Sequence, residues 1–134
     1  MVRESLSILY VDDEEDIRTI VEMALQLDPE LTVKVADSGA RALAMIGQDG
    51  WLPDIALIDV MMPGMTGMEL LELLRQRPDA AAIPALFVTA SARSTEVQRY
   101  IDAGAMGVIS KPFDPLTLAG LVRRHYEAWP GAEG

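Results

Sequence analysis

The chain contains no cysteine, so neither a disulfide nor a thiolate metal site can form. Positive charge is scarce: 11 Lys and Arg stand against 21 Asp and Glu, a net charge of -10. That balance argues against gripping nucleic acid or an anionic membrane through phosphate contacts. It is compatible with cation binding or with a basic protein partner. No apolar run approaches the ~20 residues that a membrane span needs. No signal peptide is visible either, since Arg3 and Glu4 are followed by a short apolar run and then by acids. A cytoplasmic protein is the simple reading. Aromatic residues are few, at 5%, and His125 is the only histidine.

What is present is a chain of 134 residues, half of them apolar. Such a chain buries roughly two thirds of its unfolded surface on folding, enough for one domain with a sizeable core. Short β-branched runs occur at 6–11, 31–36, 55–58, 85–89 and 107–109. Segments with helical spacing lie between them. In the first, Ile17, Ile20, Val21, Ala24 and Leu25 share one face. The second runs over 38–48, with Leu43 and Ile46 inward, and the third over 66–75, with Leu70, Leu71 and Leu74. The fourth spans 94–103, with Val97 and Ile101 inward. The fifth begins at Asp114–Pro115, an N-cap followed by proline at the first helical position. Five βα units give a doubly wound α/β fold, a five-stranded parallel sheet in the flavodoxin-like order 2-1-3-4-5. We expect one domain over 1–134, its core at about 5–127 and a fraying tail at 128–134.

The run "IALIDVMMPGMTGMEL" ends its apolar stretch on one acid, Asp59, and Val60 to Met68 carry no charge. A buried, unpaired carboxylate costs several kcal/mol, by rough estimate, so Asp59 needs a partner from elsewhere. In an open α/β sheet, ligands bind outside the carboxyl ends of the strands where strand order reverses. "YVDDE" puts Asp12 and Asp13 at the end of the neighbouring first strand. Three carboxylates therefore converge, and a hard divalent cation such as Mg²⁺ relieves their repulsion. "FVTAS" places Thr89 at the same rim, and "SKPF" places Lys111 there. A hydroxyl, an ammonium and a metal around one carboxylate suit a phosphoryl group, with Asp59 as nucleophile.

In "VDDEEDIR", "LIDVMMPGMTGMELL", "FVTA" and "SKPF", in that order, the sequence resembles the receiver domain of two-component response regulators. The resemblance covers about residues 5 to 127. It implies a phosphoacceptor at Asp59 and Mg²⁺ held by Asp12 or Asp13, Asp59 and the Met61 backbone carbonyl. It also implies phosphoryl contacts from Thr89 and Lys111 and a cis peptide before Pro112. The expected partners are a histidine kinase or histidine phosphotransfer protein and a downstream output protein or domain. One departure stands out. The family's aromatic switch position is Val108 here, and the acids often found ahead of it are Met106 and Gly107. That pattern predicts a monomer or weak dimer and a muted rearrangement of the face formed by the fourth helix, fifth strand and fifth helix, in either a phosphorelay intermediate or a regulator whose partner reads the region near Asp59 and the first helix.

Blander readings exist for each part. "DDEED" suits a helix start, Thr89 a satisfied hydroxyl and Lys111 a solvated lysine. His125 reads as structural, Trp51 and Trp129 as packing residues, and the methionines of 61–68 as an adaptable loop. Three rival functions follow from the same pattern. An aspartate-nucleophile phosphohydrolase would place a general acid where Met61 stands. A flavodoxin-like binding module would need a phosphate cradle where "DDEED" stands. A degenerate receiver serving as scaffold would have no use for intact Asp59, Thr89 and Lys111.

Overall fold

The computed structural model describes residues 5–130. In chain order the elements are β1 (Leu6–Val11), α1 (Glu15–Leu25), β2 (Leu31–Ala36) and α2 (Gly39–Met45). A 3-10 turn at Gln48–Gly50 precedes β3 (Ile55–Asp59) and α3 (Gly67–Gln76). β4 (Ala85–Thr89), α4 (Ser94–Asp102), β5 (Gly107–Ser110) and α5 (Leu118–Ala128) complete the chain. The strands form one parallel sheet in the order β2-β1-β3-β4-β5. β3 and β4 are buried at every position, as central strands covered on both faces must be. No helix among the described residues is long and apolar enough to cross a membrane.

Alternation along the strands divides the core in two. Leu9, Ile58 and Phe87 face Leu70, Leu71 and Leu74 of α3, with Ala42 of α2 and Tyr100 of α4. Ile8, Leu57 and Val88 face Val21 and Leu25 of α1 and Val122 and Tyr126 of α5. Three helices thus cover one face and two the other.

Several expected boundaries shift, each for a local reason. α2 ends at Met45, because Ile46 is extended and Gly47 takes φ 87°, which suits a residue without a Cβ. The guanidinium of Arg77 donates to the Leu43 and Ile46 carbonyls at 2.7 and 2.8 Å, satisfying this helix end from outside. α5 starts at Leu118, because Asp114 caps a separate turn: its Oδ1 accepts from Leu116 N–H at 2.9 Å. Ile20 and Ile101, expected inward, are about 40% exposed, at 41% and 39%. On α4 the inward position belongs to Tyr100, whose ring meets Phe87 edge-on at 5.2 Å. Of the tail expected to fray, Ala128 closes α5 and Trp129 packs 5.9 Å from the Tyr126 ring. Residues 131–134 lie outside the described part.

The start of α3 is tied to the end of β3. Thr66 and Glu69 form a reciprocal capping box. A Cβ on Gly67 would lie 2.4 Å from the Asp59 carbonyl and 3.0 Å from the Val60 Cα. Gly120 of α5 is exposed, and a Cβ there would meet nothing within 4 Å. The two glycines therefore answer alanine with opposite signs. Gly67→Ala should destabilise the protein by about 1–3 kcal/mol through overpacking against backbone, and Gly120→Ala should stabilise it by about 0.5–1 kcal/mol. Urea unfolding of both variants checks the pair, and equal effects would contradict the close β3–α3 approach.

Candidate functional site

The carboxyl ends of β1 and β3 are adjacent in the sheet, Val11 lying beside Ile58. The next residue on each strand is an aspartate, Asp12 and Asp59, and Asp13 follows Asp12. Asp12 is wholly buried, Asp59 nearly so, and Asp13 is exposed. One carboxylate oxygen from each lies within 4.8 Å of the others, a set that can hold a metal ion. The helix-start reading of "DDEED" survives alongside this one, for Glu15 and Asp16 occupy the first turn of α1.

The side chain that meets Asp59 is Lys111. Its Nζ donates to Asp59 Oδ1 and to Asp12 Oδ2, both at 3.2 Å. It arrives from the end of β5, where the Lys111 backbone N–H donates to the Thr89 carbonyl at 2.8 Å. Asp12 has further donors: Glu14 N–H reaches its Oδ1 at 3.0 Å, and the Tyr10 hydroxyl reaches its Oδ2 at 2.6 Å. An Arg18 guanidinium nitrogen donates to the Asp12 carbonyl at 2.9 Å. Sequence reasoning passed over Tyr10, although its place two residues before Asp12 puts both on the same side of the strand direction.

Electrostatics follow from this crowding. Burial and the neighbouring Asp12 charge push the Asp59 carboxyl up to about 6, although Lys111 pulls it down. Burial works against the Lys111 charge, but Asp12 and Asp59 outweigh it, so this ammonium titrates above its ordinary value. Burial first, and then the bond to Asp12, drive the Tyr10 hydroxyl far up.

The remaining rim residues take the following places. Thr89 is buried at the end of β4, and its Oγ1 accepts from Ser91 N–H at 3.1 Å, outside the lysine–carboxylate network. Met61 turns its side chain outward, 76% exposed. The Lys111–Pro112 peptide is cis. Val108 pairs in register with Phe87 and is half-buried beside the Phe87–Tyr100 pair. His125 packs on Gly107 at the opposite end of β5. Trp51 precedes β3 and Trp129 follows α5, so both tryptophans sit at that far end.

The receiver-domain model of response regulators matches residues 8–123, and the chain belongs to that family. Among similar proteins, chemotaxis protein CheY-3 of Vibrio cholerae is 32% identical, over 95% of this chain and 96% of its own. The transcriptional regulatory protein CseB of Streptomyces coelicolor is 34% identical over 87% of this chain, which spans 47% of CseB. The structure of Vibrio cholerae chemotaxis protein CheY4 superposes with a TM-score of 0.79 at 34% identity, covering 90% of this chain and 98% of that one. The chain is thus a receiver domain of phosphorylation-based two-component signalling, a signalling domain.

A raised Asp59 pKa has a signed consequence. Between the ordinary value of 3.8 and about 6, the folded state holds this proton more tightly than the unfolded state. The contribution of Asp59 to stability therefore falls as pH rises through that window. In EDTA, the melting temperature of the wild type relative to that of Asp59→Asn should fall from pH 4 to pH 6, leaving the variant the more stable at pH 7. Parallel curves for the two proteins would show that Asp59 titrates normally.

Proposed function

We propose that the whole chain works as one receiver domain that takes a phosphoryl group onto Asp59 from a histidine kinase or histidine phosphotransfer protein. The observation that carries this reading is the meeting of Asp12, Asp13, Asp59 and Lys111 at one rim. A carboxylate oxygen of Asp59 attacks the phosphorus of a phosphohistidine. The P–O bond forms as the P–N bond breaks, and the imidazole nitrogen leaves with the electron pair and takes a proton from water. Lys111 follows the incoming charge and pairs with a phosphoryl oxygen. Thr89 accepts from Ser91 N–H, which leaves its own O–H free to donate to another.

The donor set fits Mg²⁺: three carboxylates supply hard oxygens, and the exposure of Asp13 leaves room for retained water. Asp12, Asp13 and Asp59 would hold the ion together with the Met61 carbonyl. When bound, it offsets negative charge on the transferring group.

The surface next to the rim supports a helical or apolar-faced phosphodonor. A cavity of about 360 Å³ is lined by Ile17, Ile20, Ala90, Lys111, Pro112, Phe113 and Pro115. Beside it Met23, Leu27 and Leu116 are 65%, 62% and 81% exposed. This apolar strip leads from α1 to Lys111, so a partner seated on it brings its phosphoryl group to Asp59. With no charged pair ahead of Val108 for bridges between copies, the protein works as a monomer or weak dimer in the cytoplasm and passes its signal to a downstream protein or domain.

Incubation with acetyl phosphate and Mg²⁺ should add one phosphoryl group by intact-mass spectrometry. Asp59→Asn should abolish the addition, and Asp12→Ala with Asp13→Ala should do the same by removing the metal ligands. Equal labelling of Asp59→Asn would disprove the acceptor assignment. Undiminished labelling in EDTA would remove the metal from the mechanism.

A further inference from the structure

The geometry points to Tyr10 as the residue that positions Asp12 for the cation. The inference rests on the metal reading above. Tyr10 lies on β1 with no exposed surface, and its ring belongs to the buried cluster on the α1–α5 face of the sheet, together with Ile8 and Leu57. Its hydroxyl is the one polar group it carries, and it donates to Asp12 Oδ2 at 2.6 Å, a short charge-assisted bond.

The Asp12 carboxylate is held by three donors with different mobilities. Glu14 N–H, fixed by backbone, takes Oδ1. Oδ2 takes two: the Lys111 ammonium at 3.2 Å and the Tyr10 hydroxyl at 2.6 Å. Lys111 sits on a long flexible stem and is shared with Asp59, so it is free to leave when cation or phosphoryl charge enters. Tyr10 is not free to leave. Its ring is clamped by core side chains, and two torsions fix where its oxygen lies. After Lys111 departs, the phenol is the side-chain donor that remains on Oδ2, and one Asp12 carboxylate oxygen still lies within 4.8 Å of those of Asp13 and Asp59. Partners of this kind, one shell behind the metal ligands, typically account for about 10–100-fold in metal affinity.

Tyr10→Phe keeps the ring and removes the hydroxyl alone. Calorimetric Mg²⁺ titration should give a dissociation constant about tenfold higher for Tyr10→Phe than for wild type. Tyr126→Phe, altered in the same core far from the rim, should bind as wild type does. Phosphorylation by acetyl phosphate should show the same split: Tyr10→Phe needs more Mg²⁺ for half-maximal rate but reaches a near-normal rate when saturated. A lost structural bond would instead lower the melting temperature in EDTA and leave the Mg²⁺ affinity where it was. An unchanged dissociation constant would therefore overturn the role of Tyr10 while leaving Asp59 phosphorylation standing. Wild-type protein that binds no Mg²⁺ would overturn the metal reading and this inference together.

The wild type offers an independent check should the variant fail to fold. Both tryptophans sit at the far end of the sheet, so a near-ultraviolet difference spectrum on adding Mg²⁺ should carry a tyrosine signature and little tryptophan. A spectrum that Mg²⁺ leaves flat would count the phenol out.

Discussion

One ammonium group shared between two buried carboxylates sets the terms for everything else at the rim. Asp12 and Asp59 end neighbouring strands and have almost no contact with water. Without Lys111 the fold would hold two unpaired buried charges, and breaking such a pair by removing one partner costs about 3–5 kcal/mol. The bridge also explains how a nucleophile can be stored safely. The carboxylate is neutralised by a group that can be displaced, so incoming positive charge exchanges with Lys111 and does not have to be accommodated beside it. The raised Asp59 pKa says that Lys111 alone does not fully compensate the burial and the Asp12 charge. The site is left with unmet demand for a cation, and three converging carboxylate oxygens are where that demand is expressed.

The backbone arrangement that makes this possible was legible in the sequence because it depends on coarse signals. Five apolar runs, four of them leading to a side chain at the rim, determine a parallel sheet, and strand order puts β1 beside β3. Asp12, Asp59, Thr89 and Lys111 could be located because each falls just where its apolar run stops. Their partners were harder to read. That Lys111 would pair with both acids, and not with a bound phosphoryl, depends on distances across three strands. Tyr10 was invisible for a different reason. In a run such as "SILYV" a tyrosine reads as one more core aromatic, and its hydroxyl matters only because Asp12 returns to within 2.6 Å of it.

Helix edges were the least legible feature, because long-range donors decide them. α2 stops where Arg77, 31 residues beyond Ile46, takes its last carbonyls. On α4, spacing put Val97 and Ile101 on the inner stripe, yet Tyr100 takes the core position and leaves Ile101 at the boundary. Both Tyr100 and Ile101 suit the pattern, and only the presence of the Phe87 ring selects between them. The exposed Ile20 of α1 has the opposite lesson. The periodicity correctly found an apolar stripe there, but α5 covers only part of it, so the remainder is surface beside the rim.

The ring pair on the other face constrains how a change at Asp59 could travel. β5 carries Val108 and no aromatic, and the space beside it is filled by Tyr100 reaching in from α4 to Phe87 of β4. A tyrosine buries about 150–250 Å², so pulling this ring into water forfeits roughly 4–6 kcal/mol at ~25 cal/mol per Å². A ligand can shift an equilibrium only by its differential affinity for the two states. Large displacement of α4 would therefore consume several kcal/mol of whatever a phosphoryl group gains at the rim. Movements that leave the Tyr100–Phe87 contact intact are cheaper: a change in the loop from Ala90 to Arg93, where Thr89 already bonds Ser91, or a change in the rim itself as Lys111 lets go of Asp12. Both lie on the side of the molecule where the apolar strip of α1 meets the site, so partner binding and phosphoryl chemistry share one surface.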